Sequence, residues 1–379
     1  MIPRLTPQDS LKQPYIAFLA SLARAGFSGD IDSSYSSRLA VATDNSVYQW
    51  LPQAVVHPRT TDDIALMLKL ASEPVYRHIT FSPRGGGTGT NGQSLNDGIM
   101  VDLSLYMTSV LELDVAACRV KVQAGLVKDK LNTTLKPHGL FFSPELSTSN
   151  RATIGGMVNT DASGQGSLKY GKTSDHVLGV RAVLMDGSVI EALPLQGEAL
   201  QAKLAQQDRE GEIYRLVWDI ARGKRADIEA TFPKLNRFLT GYDLTHVYDP
   251  ATETLDLSRL LCGSEGTLAF ITEILLDLTP IPTYRGLVNI KYDSFESALR
   301  NAPLMLAAEA MSVETVDSRV LDLARSDIVW HSVKNLITDV PGKAMMGLNI
   351  VEYAGAEASE QQPKMQALCQ KIDEQMAAG

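Results

Sequence analysis

The sequence predicts an α+β protein of two domains, and three observations carry that expectation. Short apolar runs alternate with helical patterns as far as Pro280 and Pro282. Glycine-rich loops sit at the ends of several of those runs. Beyond the proline pair, the order β-α-β-α-β-α reads as one antiparallel sheet with helices on a face, a ferredoxin-like arrangement. The expected organisation is an N-terminal helical segment at 1–46 and a first domain at 47–283, with a helical insertion at about 197–256. A second domain, its sheet incomplete, occupies 284–379.

In order along the chain, residues 16–23 fit an amphipathic helix with Gly26 near its C-cap. With no basic leader beyond Arg4 and Lys12 and no cleavage site, this stretch does not read as a signal peptide. No run is long enough to span a bilayer. A polar connector follows at 33–38, then a short strand at 54–57 ended by Pro58. Thr61 or Asp62 caps a helix running to about Ser72. Strands are expected at 78–81, 99–103, 110–113 and 118–122, and a helix at 126–135 stops at Pro137 and Gly139. Residues 177–185 form a strand, and Asp186-Gly187 turns it back as a hairpin. Charged helical stretches occupy 197–207 and 211–222, and 271–278 is a strand. The second domain offers strands at 286–290, 311–314 and 346–353, with helices at 295–308, 319–324 and 362–378.

A hydrophobic content of 44% and a charged content of 21% belong to an ordinary globular protein. The net charge of −9 argues against nucleic acid as the main partner. Cys118, Cys262 and Cys369 lie far apart and form no CxxC pair, so neither a disulfide framework nor a metal or iron–sulfur site is supported. A reducing, cytoplasmic setting is expected.

The most informative stretch is Arg84-Gly85-Gly86-Gly87-Thr88-Gly89-Thr90-Asn91-Gly92, preceded by Pro83 and set between two strands. Glycines tolerate positive φ and lack a Cβ, so successive N–H groups can turn inward around an anion. Arg84 adds a fixed positive charge. A P-loop is excluded, because no Gly-Lys-Ser/Thr follows. A Rossmann fingerprint is excluded too, because the loop leads to a strand rather than a helix. On this loop alone, a flexible surface segment is the alternative. A second region, 144–166, is rich in Ser, Thr, Asn and Gly but punctuated by Leu146, Ile154, Met157 and Val158. That composition suits backbone wrapped around a ligand with flat rings; a long irregular surface loop is the alternative. A third glycine turn spans 263–268.

Together, Arg84-Gly85-Gly86-Gly87-Thr88-Gly89, Thr153-Ile154-Gly155-Gly156 with Tyr170-Gly171, and Gly263-Ser264-Glu265-Gly266-Thr267-Leu268 resemble the FAD-binding domain of the vanillyl-alcohol-oxidase, or PCMH-type, flavoproteins. The entry segment Val55-Val56-His57-Pro58 fits as well. The likeness covers roughly 40–283, and the remainder resembles the start of an FAD-linked oxidase C-terminal (cap) domain. More narrowly, 43–48, 84–92 and 144–153 look like the large bacterial FAD-linked D-2-hydroxyglutarate dehydrogenases, which carry an iron–sulfur half. The fold implied is two α/β subdomains clasping FAD, followed by the cap. The cofactor residues implied are Pro83 to Thr90 at the pyrophosphate. Pro144, Glu145, Ser147, Thr148, Thr153, Ile154, Gly155, Gly156, Asn159, Ala162 and Gly164 would run along the ribityl chain and ring. Tyr170 and Gly171 are also implied as cofactor-binding. The backbone around Val180, in the strand after them, would lie by the adenine, and Glu265 and Gly266 would lie near the cofactor.

Some relatives tether the flavin through a histidine after the glycine loop; Thr88 stands there, implying non-covalent FAD. The family's substrate-binding and metal-ligating residues lie later in the cap, and no ferredoxin-type cysteine run is present. Iron–sulfur cluster and divalent metal are therefore expected only in parts of the whole protein absent from this chain. His246 and His331 receive no ligand role, and no catalytic residue is assigned. Asp161 and Glu265 read as structural hydrogen-bonders, and His176 as a satisfied, partly buried histidine. The activity implied is dehydrogenation of a small D-2-hydroxy acid, D-2-hydroxyglutarate first, by hydride transfer to flavin N5, with an electron acceptor other than NAD. The alternatives are an FAD-binding fragment or subunit without activity of its own, and a D-lactate or glycolate dehydrogenase. Exposed edge strands make self-association an expectation.

Overall fold

The structure, a computed structural model, describes residues 10–235 and 241–377. Arg4, residues 236–240 of the expected insertion and the last residue of the expected helix at 362–378 fall outside the described residues. Two compact units are formed: Met1–Ser163 with Lys172–Thr279, and Gly164–Gly171 with Pro280–Gly379.

The first unit opens with the helix Gln13–Arg24, which buries Tyr15, Phe18, Leu19 and Leu22, spaced as one face of an α-helix requires. Gly26 follows its C-cap at φ +93°. The expected connector at 33–38 is instead a helix, Tyr35–Ala40, because Ser34 caps it and Arg38 turns inward to donate to the Pro52 carbonyl at 2.6 Å. The next helix, Thr61–Ala71, is capped by Thr60, one residue before Thr61 and two before Asp62, the two expected caps. Thr60 and Asp63 form a reciprocal capping box.

Asp63 does more than cap. It accepts from the N–H groups of Ser28 (2.8 Å), Arg59 (2.9 Å) and Thr60 (3.2 Å), and from the Ser28 hydroxyl (2.7 Å). Burial alone would raise its pKa, but these donors outweigh it and hold the carboxyl below its ordinary 3.8. A depressed folded-state pKa stabilises the fold above the unfolded value, and that contribution fades as pH falls through the folded value. Asp63→Ala is expected to lower unfolding free energy by about 1.5–3 kcal/mol at pH 7. In urea titrations the wild-type advantage should shrink as pH drops below 3.8; an unchanged difference at pH 3 would rule out the ionised carboxylate as its source.

Two sheets form the core of this unit. In the first, the order is Asp30–Asp32, Ala54–His57, Ile99–Asp102, Phe81–Arg84. The last three run parallel, and 30–32 pairs antiparallel at one edge. Ala54, Val55, Val56, Ile99, Met100 and Val101 are all fully or almost fully buried, as continuous apolar runs in parallel strands must be. The strand expected at 78–81 lies later, so Pro83 and Arg84 are strand residues. Pro83 is tolerated because this is an edge strand. The glycine loop therefore leaves directly from a strand end and returns to the neighbouring strand with no helix between.

The second sheet is antiparallel, in the order Val110–Asp114, Arg119–Gln123, Phe270–Asp277, Val177–Val183, Val189–Ala192. Thr272, at a bulge against Val177–Val183, extends the ladder with Arg119–Gln123 on its other side, its carbonyl accepting the Ala124 N–H at 2.9 Å. The insertion is helical at Gly197–Ala205, Arg209–Gly223 and Arg225–Thr231. It also carries short strands, Tyr248–Asp249 and Thr254–Asp256, in a small sheet with Pro194–Leu195.

In the second unit, Tyr284–Tyr292 and Ser312–Asp317 flank Gly347–Gly355, each antiparallel to it. The helix Phe295–Ala307 connects the two outer strands, a split β-α-β arrangement. Ile290, Met305, Val351, Tyr353 and Leu368 form its core, the last from the helix Ala358–Ala377. The segment 164–171 belongs to this unit: Lys169 Nζ donates to the Ala354 carbonyl at 2.7 Å, and Gln165 Nε2 to Ser312 Oγ at 3.3 Å.

Candidate FAD site

The site is assembled by a hydrogen-bond ladder. The bulge carbonyl of Thr272 holds Ala124 N–H, and the Ala124 carbonyl accepts Gly155 N–H at 2.7 Å. The Leu126 carbonyl then accepts Ile154 N–H at 2.8 Å, and Lys128 N–H donates to Ala152 at 3.0 Å. The second glycine motif is thereby laid against the sheet. Its middle, expected as irregular chain, contains a helix, Ile154–Thr160, because Thr153 caps it by accepting the Gly156 N–H at 3.3 Å. Gly155 is required there: a Cβ would stand 2.7 Å from the Ala124 Cβ.

The first glycine loop packs onto this segment through bare Cα surfaces. A Cβ at Gly85 would run into Thr153 Oγ1, and one at Gly86 into the Arg151 carbonyl. Gly87, at φ +60°, sits over the Arg84 guanidinium. That guanidinium does not reach freely into the loop. It donates to the carbonyls of Thr43 (2.8 Å) and Val41 (3.2 Å), tying residues 41–43 beneath it. Burial draws its pKa down, countered by Asp102 and Asp44. The third motif joins the second by two backbone bonds, Gly263 N–H to Val158 and Glu265 N–H to Asn159, at 2.9 and 2.8 Å. Gly266 meets the first, since its Cβ would lie 2.7 Å from Pro83 Cγ.

The result is a cleft of about 300 Å³. Pro83 to Thr90, Thr148, Thr153, Gly155, Gly156, Asn159, Ala162 and Glu265 line it, as do several residues that sequence reasoning did not single out: Gln93, Ser94, Leu103, Ala124, Ala152 and Ile271. Gln93 and Ser94 stand just past the last glycine of the loop, a signal that could have found them. Ile271 comes from the strand Phe270–Asp277 and Ala124 from the turn just after the strand Arg119–Gln123, and only the tertiary fold brings them in. Other expected residues lie elsewhere. Pro144 and Ile154 are buried and do not line the cleft, and Ser147 is exposed. Glu145 accepts from the buried Lys128 Nζ through both oxygens at 3.1 Å. Val180 is central in the antiparallel sheet between Ala192 and Ile274. Gly164, Tyr170 and Gly171 belong to the second unit.

Asp161, like Glu145, has a structural partner, whereas no hydrogen bond or ion pair engages the Glu265 carboxyl among the described residues. Asp161, the left-handed C-cap of the 154–160 helix, bonds Lys172 Nζ at 2.6 Å and accepts the Ser174 N–H at 2.9 Å. His176 is half-buried, with Nε2 3.3 Å from Ser143 Oγ, and does not line the cleft. Burial raises the Glu265 carboxyl pKa and pushes the Cys262 thiol well up. Among the described residues no group of three or more His, Cys, Asp or Glu side chains could hold a metal ion.

The cleft fits a nucleotide cofactor. The N–H groups of Gly85, Gly86, Gly87, Thr88, Gly89 and Thr90 have no protein acceptor among the described residues, an unspent row of donors suited to a diphosphate. Asn159 Oδ1 is buried without a partner on the same wall. Leu103, Ala124, Met157 and Ile271 add apolar surface.

Comparison with known proteins agrees. Residues 52–193 match an FAD binding domain, and residues 281–379 match the C-terminal domain of FAD linked oxidases. A D-2-hydroxyglutarate dehydrogenase of Pantoea ananatis is 58% identical over 98% of the chain and 36% of that protein. The one from Escherichia coli is 56% identical over 100% of the chain and 37% of its own length. The chain thus spans little more than a third of these curated relatives. Among solved structures, alkyldihydroxyacetonephosphate synthase superposes with a TM-score of 0.67 at 17% identity, covering 98% of the chain and 62% of that structure, a likeness of fold. An FAD-binding domain ahead of an FAD-linked oxidase C-terminal domain places this chain in the PCMH-type FAD-linked oxidase family.

Proposed function

We propose that the cleft holds FAD without a covalent link, and that the chain is the flavin part of a dehydrogenase converting a D-2-hydroxy acid, D-2-hydroxyglutarate first, to its 2-oxo acid. The observation that carries the cofactor reading is the row of six unspent N–H groups at 85–90. The substrate reading rests on relatives 58% and 56% identical that are named for this activity. FAD, when bound, supplies the two-electron redox chemistry. The chain's own residues do the binding. The loop N–H groups take the diphosphate, and Thr153 and Arg151 set the loop's height through Gly85 and Gly86. Asn159 Oδ1 is left to accept from the ligand. Thr88, at the place where a tethering histidine would stand, offers no nucleophilic ring nitrogen, which supports the non-covalent reading. No side chain of this chain is assigned as the catalytic base.

The same proposal includes an electron acceptor other than NAD, a cytoplasmic setting, consistent with three free cysteines, and self-association through the outer strands of the second unit. No helix among the described residues is long and apolar enough to cross a membrane. Binding of FAD without turnover by this chain alone is the second reading, favoured by its 36% share of the Pantoea relative.

Absorption spectra before and after acid precipitation test the cofactor. Yellow bands should move into the supernatant. Bands retained in the pellet would mean a covalent link, and a colourless chain indifferent to added FAD would remove the proposal. Anaerobic D-2-hydroxyglutarate, D-lactate and glycolate then separate the activities: bleaching by the first supports the dehydrogenase, and bleaching by none supports the second reading.

A further inference from the structure

We propose that the first unit carries a second ligand site, for a free single-chain amphipathic carboxylate such as a medium-chain fatty acid. It lies in an apolar groove that shares no lining residue with the FAD cleft. The groove has a volume of about 890 Å³, within the size of small-molecule sites. Its floor is made by the buried Ile79, Ile190, Leu257 and Leu261. Around the rim stand Met185, Leu216 and Leu268, which are 52%, 59% and 38% exposed. Scattered exposed apolar side chains need no explanation, but apolar residues gathered around a concavity mark a binding surface.

The rim's charge selects the occupant. Arg77 lines the groove, and no hydrogen bond or ion pair engages its guanidinium among the described residues. Arg209, at the first turn of the 209–223 helix, is shared with Glu212 at 2.6 Å in a solvent-exposed pair, which is weak and exchangeable. Asp186, the only acidic lining residue, already accepts the Ser188 N–H at 2.9 Å. Ser72 spends its hydroxyl on the Lys69 carbonyl. The guanidinium of Arg77, unengaged among the described residues and set beside an apolar floor, complements a molecule with one anionic end and a hydrocarbon body. A carboxylate head pairs with the guanidinium of Arg77, whose planar fork matches it, and the chain lies over Ile79, Ile190 and Leu257.

Isothermal titration of the chain with monomeric decanoate is the test, with 1-decanol and anionic phospholipid vesicles as comparison ligands. The expected result is saturable one-to-one binding of decanoate, at least tenfold weaker binding of decanol, and a similar tenfold loss for decanoate in Arg77→Ala. Arg77→Lys should recover part of that loss. Leu216→Asp, on an exposed position, should abolish binding while leaving the far-UV circular dichroism and the FAD spectrum intact, which keeps this site distinguishable from the cofactor site. No saturable heat from decanoate, equal affinity for decanol, or an indifferent Arg77→Ala would overturn the proposal. Binding to vesicles without binding to decanoate would also overturn it, in favour of a membrane surface.

Discussion

Replacing Lys172 with methionine is expected to lower the unfolding free energy of the first unit by about 3–5 kcal/mol. The Nζ of Lys172 lies 2.6 Å from Asp161 Oδ2, and both side chains are 7% exposed. Removing the cation leaves a carboxylate in a site from which water is largely excluded, where it still accepts the Ser174 N–H. The cost of stranding that charge exceeds what the pair itself contributes, because the intact pair only offsets its own desolvation. Asp161 is also the left-handed terminus of the helix that forms one wall of the cleft, at φ 47°. The loss should therefore reach the cofactor as well as the fold. The double variant Lys172→Met with Asp161→Asn is expected to regain much of the stability, since asparagine tolerates the left-handed conformation and needs no counter-charge. Urea unfolding of wild type, Lys172→Met, Asp161→Asn and the double variant gives the coupling directly. If the double variant is no more stable than Lys172→Met, the stranded charge is not the cause.

Gly86→Ala should weaken FAD binding by roughly 5- to 150-fold, the equivalent of about 1–3 kcal/mol of overpacking. The new Cβ would be driven into the Arg151 carbonyl, which is backbone and cannot swing aside like a side chain. Either the 84–92 loop or the 148–153 segment must move, and both line the cleft. Gly223→Ala is the matched control: nothing lies within 4 Å of its added carbon, and affinity should be unchanged. Fluorescence titration with FAD measures both. Wild-type affinity in Gly86→Ala would show that the cofactor does not depend on the seating of this loop.

Much of this arrangement was legible in the sequence because it rests on local chemistry. Glycines at 85–87 and 155–156 announce close backbone approach, and the apolar spacing of Tyr15, Phe18, Leu19 and Leu22 announces a helix face. The sequence offers Thr61 or Asp62 as that cap, and the structure uses Thr60 with Asp63, a difference of a residue or two within one local pattern. The roles of Arg84 and Glu145 were not legible. Both are charged residues beside glycine or serine-rich stretches, and pattern alone suggested charges facing a ligand. The structure turns Arg84 to the carbonyls of residues 41 and 43, and Glu145 to Lys128.

The sequence by itself determined the fold class, the glycine motifs and the family they resemble, because backbone conformation and hydrophobic period are written in neighbouring residues. Only the tertiary structure decided which motif residues share a cleft. Ile271 enters from a strand and Ala124 from the turn after one, far apart along the chain, whereas Val180 stays inside the sheet and residues 164–171 belong to the second unit. Hydrogen bonds such as Gly155 to Ala124 and Gly263 to Val158 join segments through space, and one residue's shift in a strand or a bulge at Thr272 changes which side chains they bring together. No local pattern encodes that choice; it is made when the sheets pack.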